Sequence, residues 1–500
     1  MADTKREIER KYEASADTRL PDLTRVAGVA AVLDKGVAEL DAVYYDTPGL
    51  RLAADGITLR RRTGGDDAGW HLKFPVTTGI RDEIRAPLTD TLPSSLSGLL
   101  RSRIRDSELK PVVRLLSSRE VRHLVDGDGT LLAELSVDTV LAERLTDGGA
   151  TVSWTEIEVE LADVGDPALL DAVDKRLRKA DIRPSEAPSK LSRALAETGT
   201  VPEPPKKQAK PKTAGDHVLA YVHAQRDAIV ELDPAVRRDL PDSVHRMRVA
   251  TRRMRSVFRS YRRVLDRETT RPIGVELKWL AAELGVDRDR EVLTERLDER
   301  LGELPEELVV GPVRTRLDTW SHATEAGSRE RLTAVLDGKR YLTLLETLDV
   351  LLADPPLLPK SAGKPKKVIA KAVRRDHARL AAHIDEAMAK EPGSERDVAL
   401  HESRKDAKRL RYAAEAAEPA LGDPAADIVS AAKSLQTLLG DHQDSVMART
   451  TLRDDLAVQA HDAGESTFTY GVLYGREEQR AAKDEAELPA AWAKAAELSA

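Results

Sequence analysis

TEIEVEL, residues 155–161, alternates acid with apolar side chain from Glu156 to Leu161. In an extended chain, successive side chains point to opposite faces. Glu156, Glu158 and Glu160 therefore share one face, and Ile157, Val159 and Leu161 the other. The same two-faced pattern recurs upstream. GITLRRR (56–62) puts Arg60 and Arg62 on one face, and GWHLKF (69–74) sets His71 and Lys73 opposite Trp70, Leu72 and Phe74. GIRDEIR (79–85) aligns Arg81, Glu83 and Arg85, and LAELSVDTV (132–140) aligns Glu134, Ser136 and Asp138 opposite Leu135 and Val137. Near the start, REIERKY (6–12) spaces Glu7, Glu9 and Lys11 at every second position; taken alone, Glu7 and Lys11 equally suit an i,i+4 pair on a surface helix. Turn signals such as DTPG, TGGDDAG, DGDG and TDGG separate these runs. The N-terminal region therefore predicts about eight strands, with helices near residues 21–35, 93–103 and 166–180.

A charged face and an apolar face on strand after strand predicts an unusual barrel. Its apolar faces would lie outward beneath helices and its charged faces inward. Charges enclosed so densely need a ligand of complementary charge. Arg and Lys hold phosphate oxygens. Glu and Asp hold a hard cation, which holds phosphate in turn. A polyanion bridged by divalent metal is the ligand that asks for both.

The ordered set that carries this pattern is Glu7-Ile8-Glu9-Arg10-Lys11, Tyr45-Asp46-Thr47, Leu59-Arg60-Arg61-Arg62, Lys73, Arg81-x-Glu83, Arg119, Asp138, the Glu156/Glu158/Glu160 strand and Ser189-Lys190. It resembles the CYTH family, the triphosphate tunnel metalloenzymes, over about residues 1–198. The resemblance implies an α+β domain: an eight-stranded antiparallel β tunnel with flanking helices that binds a linear triphosphate. It implies metal ligation by Glu7, Glu9, Asp138, Glu158 and Glu160, with Mg²⁺ or Mn²⁺ as cofactor. Lys11, Arg60, Arg62, Lys73, Arg81, Arg119 and Lys190 would contact phosphates. Glu83, or a carboxylate of the last strand such as Glu156, would take the proton from water, with Lys11 beside the reacting group. Arg85 stands where many members carry an acid. Tyr44 and Tyr45 read as packing residues, and His71 and His123 as structural or exposed.

Composition narrows the classes. The 500 residues contain no cysteine, which excludes disulfides, thiolate metal sites and cysteine nucleophiles. The 11 histidines show no metal-ligand spacing such as HExxH, so a metal should be held by oxygen. Aromatics make up only 3%, too few for the stacking platforms that read single-stranded nucleic acid. No apolar run approaches the ~20 residues that span a bilayer, and the charged N-terminus lacks a signal-peptide pattern. The expectation is a cytoplasmic protein with no membrane partner.

The Pro- and Lys-rich stretch TVPEPPKKQAKPKTAG (200–215) predicts a linker over 199–215 between a tunnel domain (1–198) and an all-α domain (216–500). The C-terminal part repeats itself. His245-x-x-Arg248-x-x-x-Arg252-Arg253-x-Arg255 returns as His401-x-x-Arg404-x-x-x-Lys408-Arg409-x-Arg411, and ELGVDRDREV (283–292) returns in weaker form as LLGDHQDSV (438–446). Two motifs repeating at nearly one offset predict two copies of one four-helix-bundle-like unit, about 216–353 and 366–500. In the first copy Met247, Thr251, Met254, Phe258 and Tyr261 form a core seam. Beside it His245, Arg248, Arg252, Arg255, Arg259 and Arg262 make a stripe without an acid. Uninterrupted bases on one helix face repel one another and need an anion.

These motifs, with Lys339-Arg340-Tyr341, resemble the CHAD domain, which is helical, internally duplicated and often follows a CYTH domain. The implied ligand is inorganic polyphosphate, held by His245, Arg248, Arg252, Arg253, Arg255, Arg259, Arg288, Lys371, Arg374, Arg375, His401, Arg404, Lys408, Arg409 and Arg411. Gln443 replaces the base found at Arg288. Together the two halves are similar to two-domain inorganic triphosphatases. The expected function is metal-dependent hydrolysis of inorganic triphosphate or short polyphosphate, with the helical domain bound to polyphosphate. A non-catalytic sensor or adaptor, hydrolysis of an organic triphosphate such as thiamine triphosphate, and adenylyl cyclisation are the alternatives. Nucleic-acid binding by the basic helices is disfavoured by the low aromatic content.

Overall fold

The computed structural model describes residues 3–146, 149–163, 165–199, 209–322 and 327–498. Contacts divide the chain into two units, Met1–Lys207 and Gln208–Ala500. The linker expected at 199–215 falls mostly outside the described residues, which resume at 209.

In the first unit the alternating runs become eight strands: β1 (Asp3–Ala14), β2 (Ala31–Asp46), β3 (Thr58–Thr63), β4 (Gly69–Thr77), β5 (Ile80–Ala86), β6 (Lys110–Val125), β7 (Leu131–Arg144) and β8 (Thr151–Leu161). They close into a barrel in the order β1-β5-β4-β3-β2-β6-β7-β8, each neighbouring pair antiparallel. Four helices accompany them: α1 (Arg51–Ala54), α2 (Ser94–Ile104), α3 (Pro167–Arg178) and α4 (Lys190–Glu197).

Most apolar strand faces point outward, where two clusters lie each under a helix. Leu96, Leu99 and Leu100 of α2 lie with Leu59, Trp70, Leu72 and Ile84. Leu169, Leu170, Val173 and Leu177 of α3 cover Leu135, Ile157 and Val159. Leu191, Ala194 and Leu195 of α4 pack instead on Leu115, Val140 and Trp154, which share the inward faces of Arg119, Asp138 and Glu158, so α4 fills one end of the barrel. Each such leucine stabilises the fold by roughly 2 kcal/mol on burial. The barrel thus keeps two cores outside, under α2 and α3, closes one end of its interior with an apolar plug on α4, and leaves the rest of the lumen polar.

The helices expected near 93–103 and 166–180 form, but 21–35 does not make a helix. A short 3-10 turn spans Leu23–Arg25, and β2 begins at Ala31. Gly28 and Gly36 take left-handed φ values of 92° and 87° that interrupt a helix, and Val32 and Leu33 pair with Leu124 and His123 of β6. Asp46 at the end of β2 accepts bonds from the backbone N–H groups of Thr47, Leu52 and Ala53, which turns the chain into α1.

The second unit is all helical: α5 (Ala214–Arg237), α6 (Ser243–Ser260), α7 (Arg267–Glu283), α8 (Val286–Gly302), α9 (Val313–His322), α10 (Ser328–Asp337), α11 (Lys339–Ala353), α12 (Pro365–Met388), α13 (Ser394–Leu421), α14 (Asp423–Thr451), α15 (Ala457–Asp462) and α16 (Phe468–Ala496). Helices α5-α6-α7 of one copy and α12-α13-α14 of the other each pack consecutively, and α6 also packs on α13. The seam residues Met247, Met254, Phe258 and Tyr261 join Leu400, Ala407 and Leu410 in one apolar core that both copies share. None of the described helices is long and apolar enough to cross a membrane.

Candidate functional site

The inward strand faces line a cavity of about 550 Å³. Its wall carries Glu7, Glu9, Lys11, Arg60, Arg62, Lys73, Arg81, Glu83, Arg119, Glu158, Glu160 and Lys190. Ten lysines and arginines face eight acids among the lining residues, so the wall suits a ligand with net negative charge. Strand register sets the neighbours: Lys11 lies opposite Glu158, Glu7 opposite Arg81, Lys73 opposite Glu83, and Arg119 opposite Asp138.

Acid and base pair across this wall. Lys11 contacts Glu158 closely and lies 3.1 Å from Glu9. Lys73 donates to both oxygens of Glu7 at 2.6 and 2.7 Å. Arg119 makes a two-pronged contact with Asp138 at 2.7 Å and reaches Glu158 at 2.7 Å. Lys190, at the first position of α4, inserts between Asp138, Glu156 and Glu158 at 2.8, 2.7 and 2.6 Å. Burial opposes the Lys190 ammonium, but Asp138, Glu158 and Glu156 outweigh it and raise its pKa above the ordinary lysine range. Burial likewise opposes the Glu158 carboxylate, and Lys11, Lys190 and Arg119 hold it well below the ordinary glutamate range.

Arg60 and Arg62 differ from the rest. Arg60 donates to the Tyr44 hydroxyl at 3.3 Å and has no ion pair among the described residues. Arg62 meets the Asp67 carboxylate. The Nε atoms of both arginines are buried without a hydrogen-bond partner. Burial, Arg60 and Arg119 push the Arg62 guanidinium down to about 9. Two buried guanidiniums with idle donors are short of anion.

The carboxylates of Asp138, Glu156 and Glu158 offer oxygens that all lie within 4.8 Å of one another. An oxygen-only donor set of this kind fits a hard divalent cation. Glu156 is also tied by the Trp154 indole at 2.6 Å, and it is not among the described residues that line the cavity. Glu160 receives Lys5 at 2.6 Å, and Arg81 donates to the Pro188 carbonyl. The sequence reading passed over Lys5, Asp67 and the Tyr44 hydroxyl. It also passed over the buried contact of His71 with Glu83. Strand parity carries a signal for three of them: Lys5 shares the face of Glu7 and Glu9, His71 that of Lys73, and Tyr44 that of the inward residues of β2.

In the helical unit the basic stripes of the two copies come together. Arg248, Arg252 and Arg404 all act on Lys408, whose pKa burial and these cations push down to about 7. The two LG motifs explain how their arginines lie. A methyl group on Gly285 would sit 2.6 Å from the Arg248 guanidinium carbon, and one on Gly440 would sit 3.4 Å from an Arg404 nitrogen. In each copy the glycine leaves the room that the HxxR arginine occupies.

Arg255, Arg259 and Arg409 line a groove of about 420 Å³ with Arg262, Arg267, Arg271, Lys278 and Arg379, and no acid borders it. Arg267, Arg271 and Lys278 share one face of α7, a helical spacing visible in the sequence. Other expected anion contacts serve the fold. Arg253 and Arg411 both pair with Glu415, at 2.9 and 3.2 Å. Arg409 also pairs with Asp376 at 3.0 Å, and Arg375 donates to the Ser260 carbonyl. His245, Lys371 and Arg374 are exposed, and His401 is half-buried. The Arg288 side chain lies outside the described residues.

Comparison with known proteins agrees with both halves. The family model of the CYTH domain matches residues 5–195, and that of the CHAD domain matches residues 220–453. Two uncharacterized proteins of Mycobacterium tuberculosis, from strains CDC 1551 and H37Rv, are each 39% identical over 505 residues, covering 97% of this chain and 95% of theirs. Among solved structures, PptA from Streptomyces chartreusis is 19% identical, covering 57% of this chain and 100% of its own, with a TM-score of 0.48. The CHAD domain from the plant Ricinus communis is 21% identical, covering 60% of this chain and 98% of its own, with a TM-score of 0.45. CYTH-family members act on triphosphates and use divalent metals. The charged tunnel and the duplicated basic bundle thus have a common explanation: this chain belongs to the proteins that join a CYTH domain to a CHAD domain.

Proposed function

We propose that the tunnel hydrolyses inorganic triphosphate, or the ends of short polyphosphate, and that the helical domain binds inorganic polyphosphate. The observation that carries the first half is the pair Arg60 and Arg62, buried on the tunnel wall with unsatisfied donors. Beside them, acids and bases interleave along the wall. A triphosphate accompanied by cations has the same alternation, so it can replace the internal ion pairs one for one. Glu7, Glu9, Asp138, Glu158 and Glu160 would hold divalent cations such as Mg²⁺ or Mn²⁺. Bound there, a cation would neutralise phosphate charge and favour in-line attack by water. Lys11, Lys73, Arg119 and Lys190, freed from those acids, would grip phosphate oxygens with Arg60 and Arg62. Arg81 would sit beside them. Glu83 would take the proton of the attacking water. Glu156, tied to Trp154 and Lys190, would anchor Lys190.

One observation favours an inorganic substrate over a thiamine or adenine triphosphate. Tyr44 and His123 are the only ring-bearing side chains among the described lining residues, which leaves little surface for an organic ring. The purified protein with Mg²⁺ or Mn²⁺ should release phosphate from tripolyphosphate, and Glu7→Gln with Glu9→Gln should abolish that release. Turnover by the double variant equal to wild type would remove the enzyme; binding without turnover by wild type would leave a sensor. For the helical domain, the acid-free groove and the converging stripes support a long anion without bases. Competition between polyphosphate and DNA measures that preference.

A further inference from the structure

His71 reads in the sequence as a structural histidine, yet its ring touches the proposed base. Both members of the contact are almost wholly removed from solvent, His71 at 1% and Glu83 at 0% exposure. Nδ1 of His71 lies 2.8 Å from Glu83 Oε1, and Nε2 lies 2.9 Å from the Asp67 carbonyl oxygen. Glu83 is ionised. Arg85 contacts its Oε2 at 2.5 Å, and Lys73 lies 3.5 Å from Oε1. Burial opposes that charge, but Lys73, His71 and Arg60 hold the carboxyl far below its ordinary range. Both ring nitrogens therefore face acceptors, while a neutral imidazole has one N–H to give. Only the imidazolium satisfies both contacts.

The surroundings resist that charge while the tunnel is free of anion. Burial, Arg60 and Arg62 push the His71 ring down to about 4, against the pull of Glu83. The charged groups facing the ring are Arg60 and Arg62 on β3, Asp67 on the β3–β4 turn, Lys73 on β4, and Glu83 and Arg85 on β5. Phosphates on Arg60, Arg62 and Lys73 would cancel the cations that oppose the proton. The same phosphates would draw Arg62 away from Asp67, leaving the β3–β4 turn with one fewer tie.

We propose that His71 is a positioning residue that takes up one proton from solvent when a triphosphate enters the tunnel, and then clamps Glu83 to the Asp67 turn through two N–H donors. The proposal rests on the triphosphate reading of the tunnel. It makes the pH response of catalysis belong to the ring that holds the base as well as to the base itself. As pH rises through the pKa of His71 in the complex, the clamp is lost and kcat falls.

The test uses the full chain with ¹⁵N-labelled histidine and Mg²⁺ with imidotriphosphate, a non-hydrolysable form of tripolyphosphate, near neutral pH. His71→Asn assigns the ring resonances, and calorimetry scores tunnel binding as the component that Arg60→Ala removes. With ligand bound, the His71 ring should show protons on both nitrogens; a ring that stays neutral overturns the proposal. If the Arg60-dependent binding is absent, the triphosphate reading itself has failed and the inference falls with it. Kinetics give a second readout. His71→Leu should lower kcat by about 100-fold with KM shifted by less than about threefold. His71→Asn, whose amide still donates to Glu83, should restore at least about tenfold of that loss and flatten the alkaline limb of the kcat profile. An Asn variant no better than Leu, with an unchanged melting temperature, would also overturn it.

Discussion

The tunnel and the helical bundle both gather arginine and lysine, but they manage the charge differently. In the tunnel every lining base except Arg60 and the exposed Lys35 has a carboxylate partner or a carbonyl near it, and most of these pairs are withdrawn from solvent. In the bundle the groove beside α6 and α7 is lined by eight bases and, among the described lining residues, no acid, and six of those bases are exposed. Enclosed, alternating charge suits a short ligand that brings its own cations. Open charge of a single sign suits a naked polyanion of any length, held by the release of its counterions. Each ligand can thus be told from the other by how it responds to salt, to substitution and to pH.

Salt should give the largest contrast. A polyanion held by six to ten bases loses roughly 1,000-fold in affinity between about 50 and 200 mM salt. Polyphosphate binding by the bundle should follow that trend, whereas phosphate release by the tunnel, with its enclosed pairs, should change by only about severalfold. Equal salt slopes for the two activities would break the comparison. Next comes Arg60→Ala, which removes a tunnel cation that has no ion pair among the described residues. It should lower kcat/KM for tripolyphosphate by about 100-fold and leave polyphosphate retention by the bundle unchanged.

A pH titration sharpens the bundle side. Lys408 is pushed down to about 7 by burial and by Arg404 and Arg252. Bound polyphosphate favours the ammonium and lifts that pKa. Binding strength should therefore be complete below about pH 7. As pH rises above 7 it should fall by at most about tenfold per unit, the limit for one proton. Lys408→Arg should remove this slope, and a slope that persists in the variant would assign it elsewhere. The smallest effect is expected from Gly285→Ala. The added methyl displaces the Arg248 guanidinium, which sits 2.6 Å from where it would be. Polyphosphate affinity should drop by about threefold to tenfold, the scale of one misplaced charge–phosphate contact, with the melting temperature nearly unchanged.

Much of this molecule can be read from residue order. The parity of Glu156, Glu158 and Glu160 against Ile157, Val159 and Leu161 is a local property of an extended chain, and so is that of Arg60 and Arg62. The apolar seam through Met247, Met254 and Phe258 is a local property of a helix. The error at 21–35 has the same origin. Leu23, Val26, Ala27 and Ala30 imitate a helical spacing, and pairing of Val32 with Leu124 on a strand ninety residues away overrides it.

What the residue order settled was which side chains share a face, because backbone geometry alone imposes that period. It carries, too, the recurrence of two motifs within the C-terminal half. Which faces meet was decided by closure of the barrel and by α6 docking on α13. Only there do Lys190 and Asp138 come within 2.8 Å, Arg253 and Arg411 converge on Glu415, and His71 find Glu83. Charge acts through space and is strengthened by burial, so the role of a charged group depends on neighbours that lie far away along the chain.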